Sequence, residues 1–278
     1  MCKRGRGLFF AFLAFLALSC VQEPVRESLP ETFNMVFSAS FSQPYGDRTR
    51  TSLEEGGKVF WSPREAIHVF NGTVEGKFTS TNTEPAATAD FEGTMTLTCD
   101  TPCPYLAVYP YDPDDESDGK TVTTTVPAVQ RALSGTFVDG MSPAVARTES
   151  TFSPLEEIPL SFFNVCSGLK FSLAHSDITS IRFRGNNGED VAGKVRIGFD
   201  DASLPQVSQV LSGEKEISLT FADGSEVLEF PADTWLYLTV LPQNFTKGFT
   251  LTFETPTMTG TCVFEKYTMF PRSDIYID

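Results

Sequence analysis

From residue 32 onward the chain is built of short stretches in which apolar and polar residues take turns. In "GLKFSLA" (168–174), "GKVRIGF" (193–199) and "GFTLTFET" (248–255) the apolar positions are Leu169/Phe171/Leu173, Val195/Ile197/Phe199 and Phe249/Leu251/Phe253. A period of two puts those side chains on one face of an extended strand and the Ser, Thr, Lys and Arg between them on the other. "TFNMVFSASF" (32–41), "AIHVF" (66–70), "YLAVYP" (105–110) and "TWLYLTVLP" (234–242) read as further strands, and the 25 phenylalanines and Thr-rich runs suit them. No segment holds a 3.6-residue period between caps. Strands spaced by turn residues, with no helices between them, predict an all-β chain of antiparallel β-sandwiches. The least strand-like stretch is 129–160, which carries Pro143, Pro154 and Pro159. It is therefore the expected boundary between two sandwiches, at 32–150 and 155–278.

The beginning of the chain obeys a different rule. Lys3, Arg4 and Arg6 precede an unbroken apolar run, Leu8–Leu18, and then Ser19 and Cys20. A basic cluster, a short apolar core and a small residue form the layout of a secretory signal peptide, too short to span a bilayer comfortably. A cysteine directly after that core resembles the lipobox of bacterial lipoproteins, in which cleavage before Cys leaves the thiol to carry a diacylglycerol. Residues 1–19 are thus expected to be a signal peptide and 20–31 a tether lipidated at Cys20. Each buried acyl methylene adds roughly 0.8 kcal/mol of membrane affinity. The tether, with Pro24, Pro30 and several charges, has little to bury.

The formal charge of −15 argues against nucleic acid as a partner. An exported chain could oxidise Cys99, Cys103, Cys166 and Cys262; Cys99 and Cys103 in "CDTPC" span a loop short enough to bridge, with disulfide or free thiol both open. Zinc is disfavoured because the chain has only two histidines, His68 and His175, neither at ligand spacing. The same scarcity weighs against a nucleophile–base triad. "YDPDDESDGK" (111–120) partly mimics a calcium loop, but Thr125 stands where the closing acid belongs, so it reads as a solvated hairpin tip. "FRGNNGED" (183–190) carries an Asn-Asn-Gly hairpin signal. Trp61 and Trp235, with Tyr105, Tyr109 and Tyr237, lie in alternating strands and suit a core better than a sugar-stacking platform. No catalytic, cofactor-binding or metal-binding set stands out, and the chain reads as a non-enzyme.

Four segments resemble the fimbrillin-like lipoproteins (major and minor fimbria subunits) of Bacteroidetes. "RTSLEEGGKVFWSPREAIHVFNG" (50–72) is similar to the family's "T…W…D-x-I-x-V-F" opening, with Glu65 where Asp is usual. "VPAVQRALSGTF" (126–137) is similar to its "P-x-x-Q…G-x-F" segment. "IPLSFFNVCSGLKFSLAHSDITSIRFRGNNGEDVAGKVRI" (158–197) looks like the start of its second domain, and "WLYLTVLPQNFTKGFTLTFET" (235–255) like its "Y-x-x-V-x-P…G…L-x-F" run. The resemblance implies two transthyretin-like sandwiches, export as an outer-membrane surface lipoprotein, and a role as stalk, tip or anchor of a fimbria (pilus). It implies other fimbrial subunits as partners, and host or bacterial surface ligands for an adhesive tip. It also implies assembly by strand exchange: a protease cuts after an arginine beyond the first strand, and a neighbour's strand fills the groove left behind. Here that strand is 32–41, with Phe33, Met35 and Phe37 or their neighbours inward, and Arg48 and Arg50 are the candidate cleavage points. "YTMFPRSDIYID" (267–278) is either the donor strand or the last strand of its own domain. The alternative reading is a monomeric surface lipoprotein that binds glycans or other ligands.

Overall fold

The computed structural model describes residues 31–42, 60–97, 104–148, 153, 156–223, 226–273 and 275–277. In chain order the first strands are β1 (Glu31–Phe41), β2 (Ala66–Asn71), β3 (Val74–Ser80), β4 (Thr88–Leu97) and β5 (Tyr105–Tyr109). Then come β6 (Glu116–Ser117), β7 (Val122–Val126), β8 (Val129–Leu133), β9 (Thr136–Phe137), β10 (Ala144–Arg147) and β11 (Glu157–Asn164). The next are β12 (Ser167–Ser172), β13 (Ser180–Gly185), β14 (Ala192–Phe199), β15 (Pro205–Glu214), β16 (Glu216–Asp223) and β17 (Glu226–Leu228). The last are β18 (Trp235–Val240), β19 (Gln243–Phe245), β20 (Phe249–Glu254), β21 (Thr259–Phe264), β22 (Thr268–Phe270) and β23 (Ile275–Ile277). The all-β expectation holds: among the described residues there is no helix.

The first unit is a closed barrel rather than an open sandwich, in the order β1-β11-β10-β5-β2-β3-β4, with β4 returning to β1. Closure leaves no edge strand, which answers the hazard of unpaired backbone groups by geometry. Met35, Phe37, Trp61, Ile67, Val69, Phe78, Phe91 and Phe162 fill it. Gly93 opposes Met35 on one side and Phe78 on the other, and a Cβ there would meet the Lys77 carbonyl at 2.5 Å. Glycine is what lets β3 and β4 approach so closely at that point.

The remaining strands enclose a second core. A sheet runs β21-β20-β13-β16-β8-β9, another β15-β14-β7-β6, and a third β18-β12-β23, with β19 paired to β22. The expected division near 150–155 is therefore corrected. β10 and β11, on either side of that point, are both barrel strands, while β6–β9 lie outside the barrel and pair with one another or with later strands, β7 with β14 and β8 with β16. The 129–160 stretch itself holds strands because Gln130, Ala132 and Val145 are buried despite the surrounding prolines and small residues. The Asn-Asn-Gly turn at 186–188 is corrected too: it turns the chain, but β13 and β14 on either side of it belong to different sheets.

The two cores share a wall. On β2, β5 and β10 one set of side chains, Ile67, Val69, Tyr105, Ala107, Ala144 and Ala146, faces the barrel interior. The alternate set, Phe70, Leu106, Val108 and Val145, joins the second core. A strand buried on both faces needs a continuous apolar run, and "YLAVY" is one. Gln130 ties the second unit together. Its Nε2 donates to the Pro127 and Thr239 carbonyls at 2.9 and 2.7 Å, and its Oε1 accepts from the Thr239 amide at 2.9 Å. One side-chain amide thus takes the place of a ladder neighbour for β18. Gln130→Ala leaves a buried amide and carbonyl without partners, and should cost about 1–3 kcal/mol in urea unfolding, whereas Gln130→Glu should not restore the loss.

Candidate functional site: the seam closed by β1

Residues 31–41 form the first strand as the alternation predicts. Met35, Phe37 and Ala39 are buried in the barrel, Phe33 and Phe41 pack at its ends, and Thr32, Asn34 and Ser38 face outward. The strand is hydrogen-bonded on both sides. It runs antiparallel to β4 from Glu31↔Leu97 to Ser40↔Thr88, and parallel to β11 from Val36↔Glu157 to Phe41↔Phe162. Ser42 donates its amide to the Phe162 carbonyl at 2.8 Å, prolonging the β11 ladder by one bond. β1 is contiguous in sequence with neither neighbour. Its place is held by pairing and packing alone.

Aromatic rings lock the strand at two levels. The Phe37 ring meets Phe78 edge-on at 4.8 Å and Tyr105 at 5.4 Å. At the end of the strand Phe41 lies 4.6 Å from Trp61, which also touches Phe91, Tyr109 and Phe162 at 5.0–5.3 Å. Burying Met35 and Phe37 stabilises the barrel by about 1.5–3 kcal/mol each. Without β1, one side of β4 and one side of β11 would carry unpaired amides and carbonyls bordering an apolar trough. Such a slot fits an extended chain with an apolar residue at every second position.

Beside Trp61 sits a half-buried carboxyl, Glu65, that the sequence did not single out for a structural role. Tyr109 donates its hydroxyl to Glu65 Oε1 at 2.6 Å, and the Ser62 amide donates to Glu65 Oε2 at 2.8 Å. Burial pushes the Glu65 carboxyl up, with the two hydrogen bonds pulling the other way. The Tyr109 phenol is raised well above its usual value by burial and by the nearby Glu65. Asp139 is raised by burial as well. The clamp ties the 61–66 segment, which holds Trp61 over the strand end, to β5.

Cys20, Arg48, Arg50, Cys99 and Cys103 lie outside the described residues. Of the other cysteines, Cys166 is buried and Cys262 is an exposed free thiol. The segment 267–278 is used within its own chain: β22 pairs with β19, β23 runs parallel to β12, and Arg272 donates to the Asn164 carbonyl at 3.1 Å. The reading of 111–120 as a solvated tip is corrected in one particular. Asp115 turns inward to 3% exposure, with a carboxylate oxygen 3.8 Å from His68 Nδ1. His68 Nδ1 in turn donates to the Asp112 carbonyl at 2.9 Å. Burial raises the Asp115 carboxyl, against hydrogen bonding from His68 and Thr124. No group of three or more His, Cys, Asp or Glu among the described residues is placed to hold a metal. Trp61 is fully buried, whereas Trp235 is 44% exposed with the Lys170 ammonium 4.3 Å from its ring centre. The two indoles form no common platform.

No family model matches the chain, and no curated protein matches it. Among solved structures, a Bacteroides uniformis protein to which a role in cell adhesion is ascribed is 16% identical. That likeness covers 88% of this chain and 91% of that one at a TM-score of 0.49. The tip fimbrial protein Mfa3 from Porphyromonas gingivalis, with a C-terminal truncation, is 10% identical over 89% of this chain and 94% of its own, at a TM-score of 0.42. A fimbrial assembly protein from Parabacteroides distasonis is 11% identical over 89% and 90%, at a TM-score of 0.41.

The Glu65 clamp gives the seam a pH dependence of definite sign. A carboxyl whose folded pKa is raised binds its proton more tightly in the fold than in the unfolded chain. Its contribution is complete below the ordinary carboxylate range and is lost as pH rises through the raised value. Thermal unfolding followed from about pH 5 to pH 8 should show stability falling with pH in the parent protein. In Glu65→Gln, which still accepts the Tyr109 hydrogen bond, the fall should be shallower. An unchanged slope would remove Glu65 from the account.

Proposed function

We propose that this chain is a surface-anchored subunit of a fimbria or an adhesin, exported as a lipoprotein and joined to its neighbours by exchange of β-strands. The observation that carries the reading is β1. It completes a closed barrel, yet it is joined to β4 and β11 by ladder bonds, a row of apolar side chains and one exposed hydroxyl pair, Thr32 with Thr96 at 2.7 Å. A single chain cut between β1 and β2 would free this strand without breaking any other described strand in two. The slot it leaves is defined by backbone groups and apolar walls, so it accepts a strand by pattern rather than by an individual side chain.

The rest of the proposal follows the chain outward. Cleavage before Cys20 and acylation of its thiol would fix the protein to the outer membrane through the 20–31 tether, which leads directly into β1. Removal of β1 after Arg48 or Arg50 would then leave the barrel with an open seam. Because 267–278 is occupied within its own chain, the protein suits a position that passes no strand on: a tip once β1 leaves with its lipidated tether, or an anchor where both are kept. No chemical transformation is assigned to it.

The test is made in the exporting host. Treatment of cells with an Arg-specific protease should convert the protein from a monomer to SDS-resistant, sedimentable oligomers. Arg48→Ala/Arg50→Ala should abolish the conversion, and Cys20→Ser should release the protein from the membrane fraction without preventing it. A protein that is cut and stays monomeric with β1 still bound would contradict strand exchange.

A further inference from the structure

We propose that β21 is a second pairing edge, at which two copies of this chain join antiparallel about a twofold axis between their Cys262 residues. β21 is paired to β20 on one side, and among the described residues no strand lies on the other. Thr259 through Val263 are all exposed.

The direction of its free backbone groups follows from two hydrogen bonds. Thr255 donates to the Met258 carbonyl at 2.9 Å, which closes the β20–β21 hairpin on a hydrogen-bonded pair. Asn186 donates to the Gly248 carbonyl at 3.0 Å, which turns Gly248, and every second residue after it, toward β13. Antiparallel pairs alternate. Both bonds therefore direct the amides and carbonyls of Gly260, Cys262 and Phe264 to β20, and those of Thr259, Thr261 and Val263 to the open edge.

The other free edges are blunted and this one is not. β15 is long, but it starts at Pro205 and its ladder with β14 is broken by two register shifts. β6, β9, β17, β19, β22 and β23 are two or three residues long, and the six-residue β18 is covered by Gln130 and by the Gly135 amide, which donates to the Trp235 carbonyl at 2.8 Å. β21 pairs with β20 through six residues without a shift, and "TGTCVF" contains no charge and no proline. Bulges, charges, proline and shortness are the means by which edges avoid further pairing. Exposed apolar residues adjoin it instead, Met258 at 67% and Val263 at 55%.

A second copy is the occupant that the edge fits. Two chains of net charge −15 repel over most of their surfaces, and a neutral strand is where they can approach. In the register centred on Cys262, Thr261 exchanges hydrogen bonds with the partner's Val263, and Val263 with the partner's Thr261. The partner's Phe264 falls opposite Gly260, where a side chain would meet nothing within 4 Å. Gly260 borders an apolar groove of about 420 Å³ lined by Ile178, Phe253 and Met258, with Asp177 as its carboxylate. Two residues further along, the partner's Lys266 falls opposite Met258 on that same groove face, so a cation is brought to the side that carries Asp177. Cys262 lies at a non-hydrogen-bonded position of the new pair, where opposed Cα atoms are about 4.5 Å apart, within disulfide range.

The test uses the whole protein in detergent, oxidised with diamide and mapped by peptide mass. As the two Cys262 thiols form the S–S bond, diamide takes up their two electrons and two protons and becomes its hydrazine. The expected result is a covalent dimer containing a Cys262–Cys262 peptide. Thr261→Pro removes an outward amide donor from each copy and leaves the β20 ladder bonds in place, and should lower the yield of that peptide about tenfold or more. Should that variant lose its circular dichroism spectrum, Val263→Lys, which sets cations along the same edge, takes its place with the same expectation. Absence of the Cys262–Cys262 peptide would overturn the proposal, as would its formation in equal yield in a folded edge variant.

Discussion

The barrel is shut by a strand that its neighbours in sequence do not hold. The other pairings of the first unit join residues less far apart along the chain, Glu31 with Leu97 being the most distant, but β1 pairs in parallel with β11, more than a hundred residues away. That long-range contact exists because Met35, Phe37 and Ala39 have an apolar interior to enter, and because β4 and β11 offer ladders on both sides. The cost of closing so long a loop grows only slowly with its length. The packed aromatic rows offset it.

The second core leans on the first through β2, β5 and β10, whose alternate side chains enter opposite interiors. A change in the barrel seam is therefore felt at a wall that both units need. The buried polar groups stand at the margins of this wall: Glu65 and Tyr109 beside Trp61, and His68 and Asp115 beside Phe70. Each pair lets a loop be pinned where an apolar contact alone would leave it free to slide. The raised carboxyls are the consequence of that burial.

Period-two patterning made most of the strands legible, because an alternating row such as Val195/Ile197/Phe199 has few other uses. β5 was legible as a strand, but its burial on both faces appears only in the fold. The order in which strands pair was not. Nothing local in "TVTTTVPAVQRAL" distinguishes pairing inside the barrel from pairing with β14 and β16, and Asn186-Asn187-Gly188 turns the chain equally well between two sheets as within one. A barrel and a sandwich also share the same alternation, since both bury one face of each strand. At the seam, the inward residues of β1 could be named in advance, whereas the Glu65–Tyr109 clamp depends on two side chains 44 positions apart. Gln130 lies between these cases. Its place after Pro127 could be noted in the sequence, but its hold on Thr239 appears only in the fold.

The account turns on whether the slot occupied by β1 takes a strand from elsewhere. The direct measurement is exchange: the protein is cut between residues 42 and 60, and a fluorescent peptide of residues 31–42 is added. The label should enter the cut protein and not the uncut one, and a peptide with Phe37 replaced by Asp should fail to compete. If the cut protein keeps its own strand indefinitely, or unfolds rather than accepting the peptide, the barrel seam is only a structural closure and not a place of assembly.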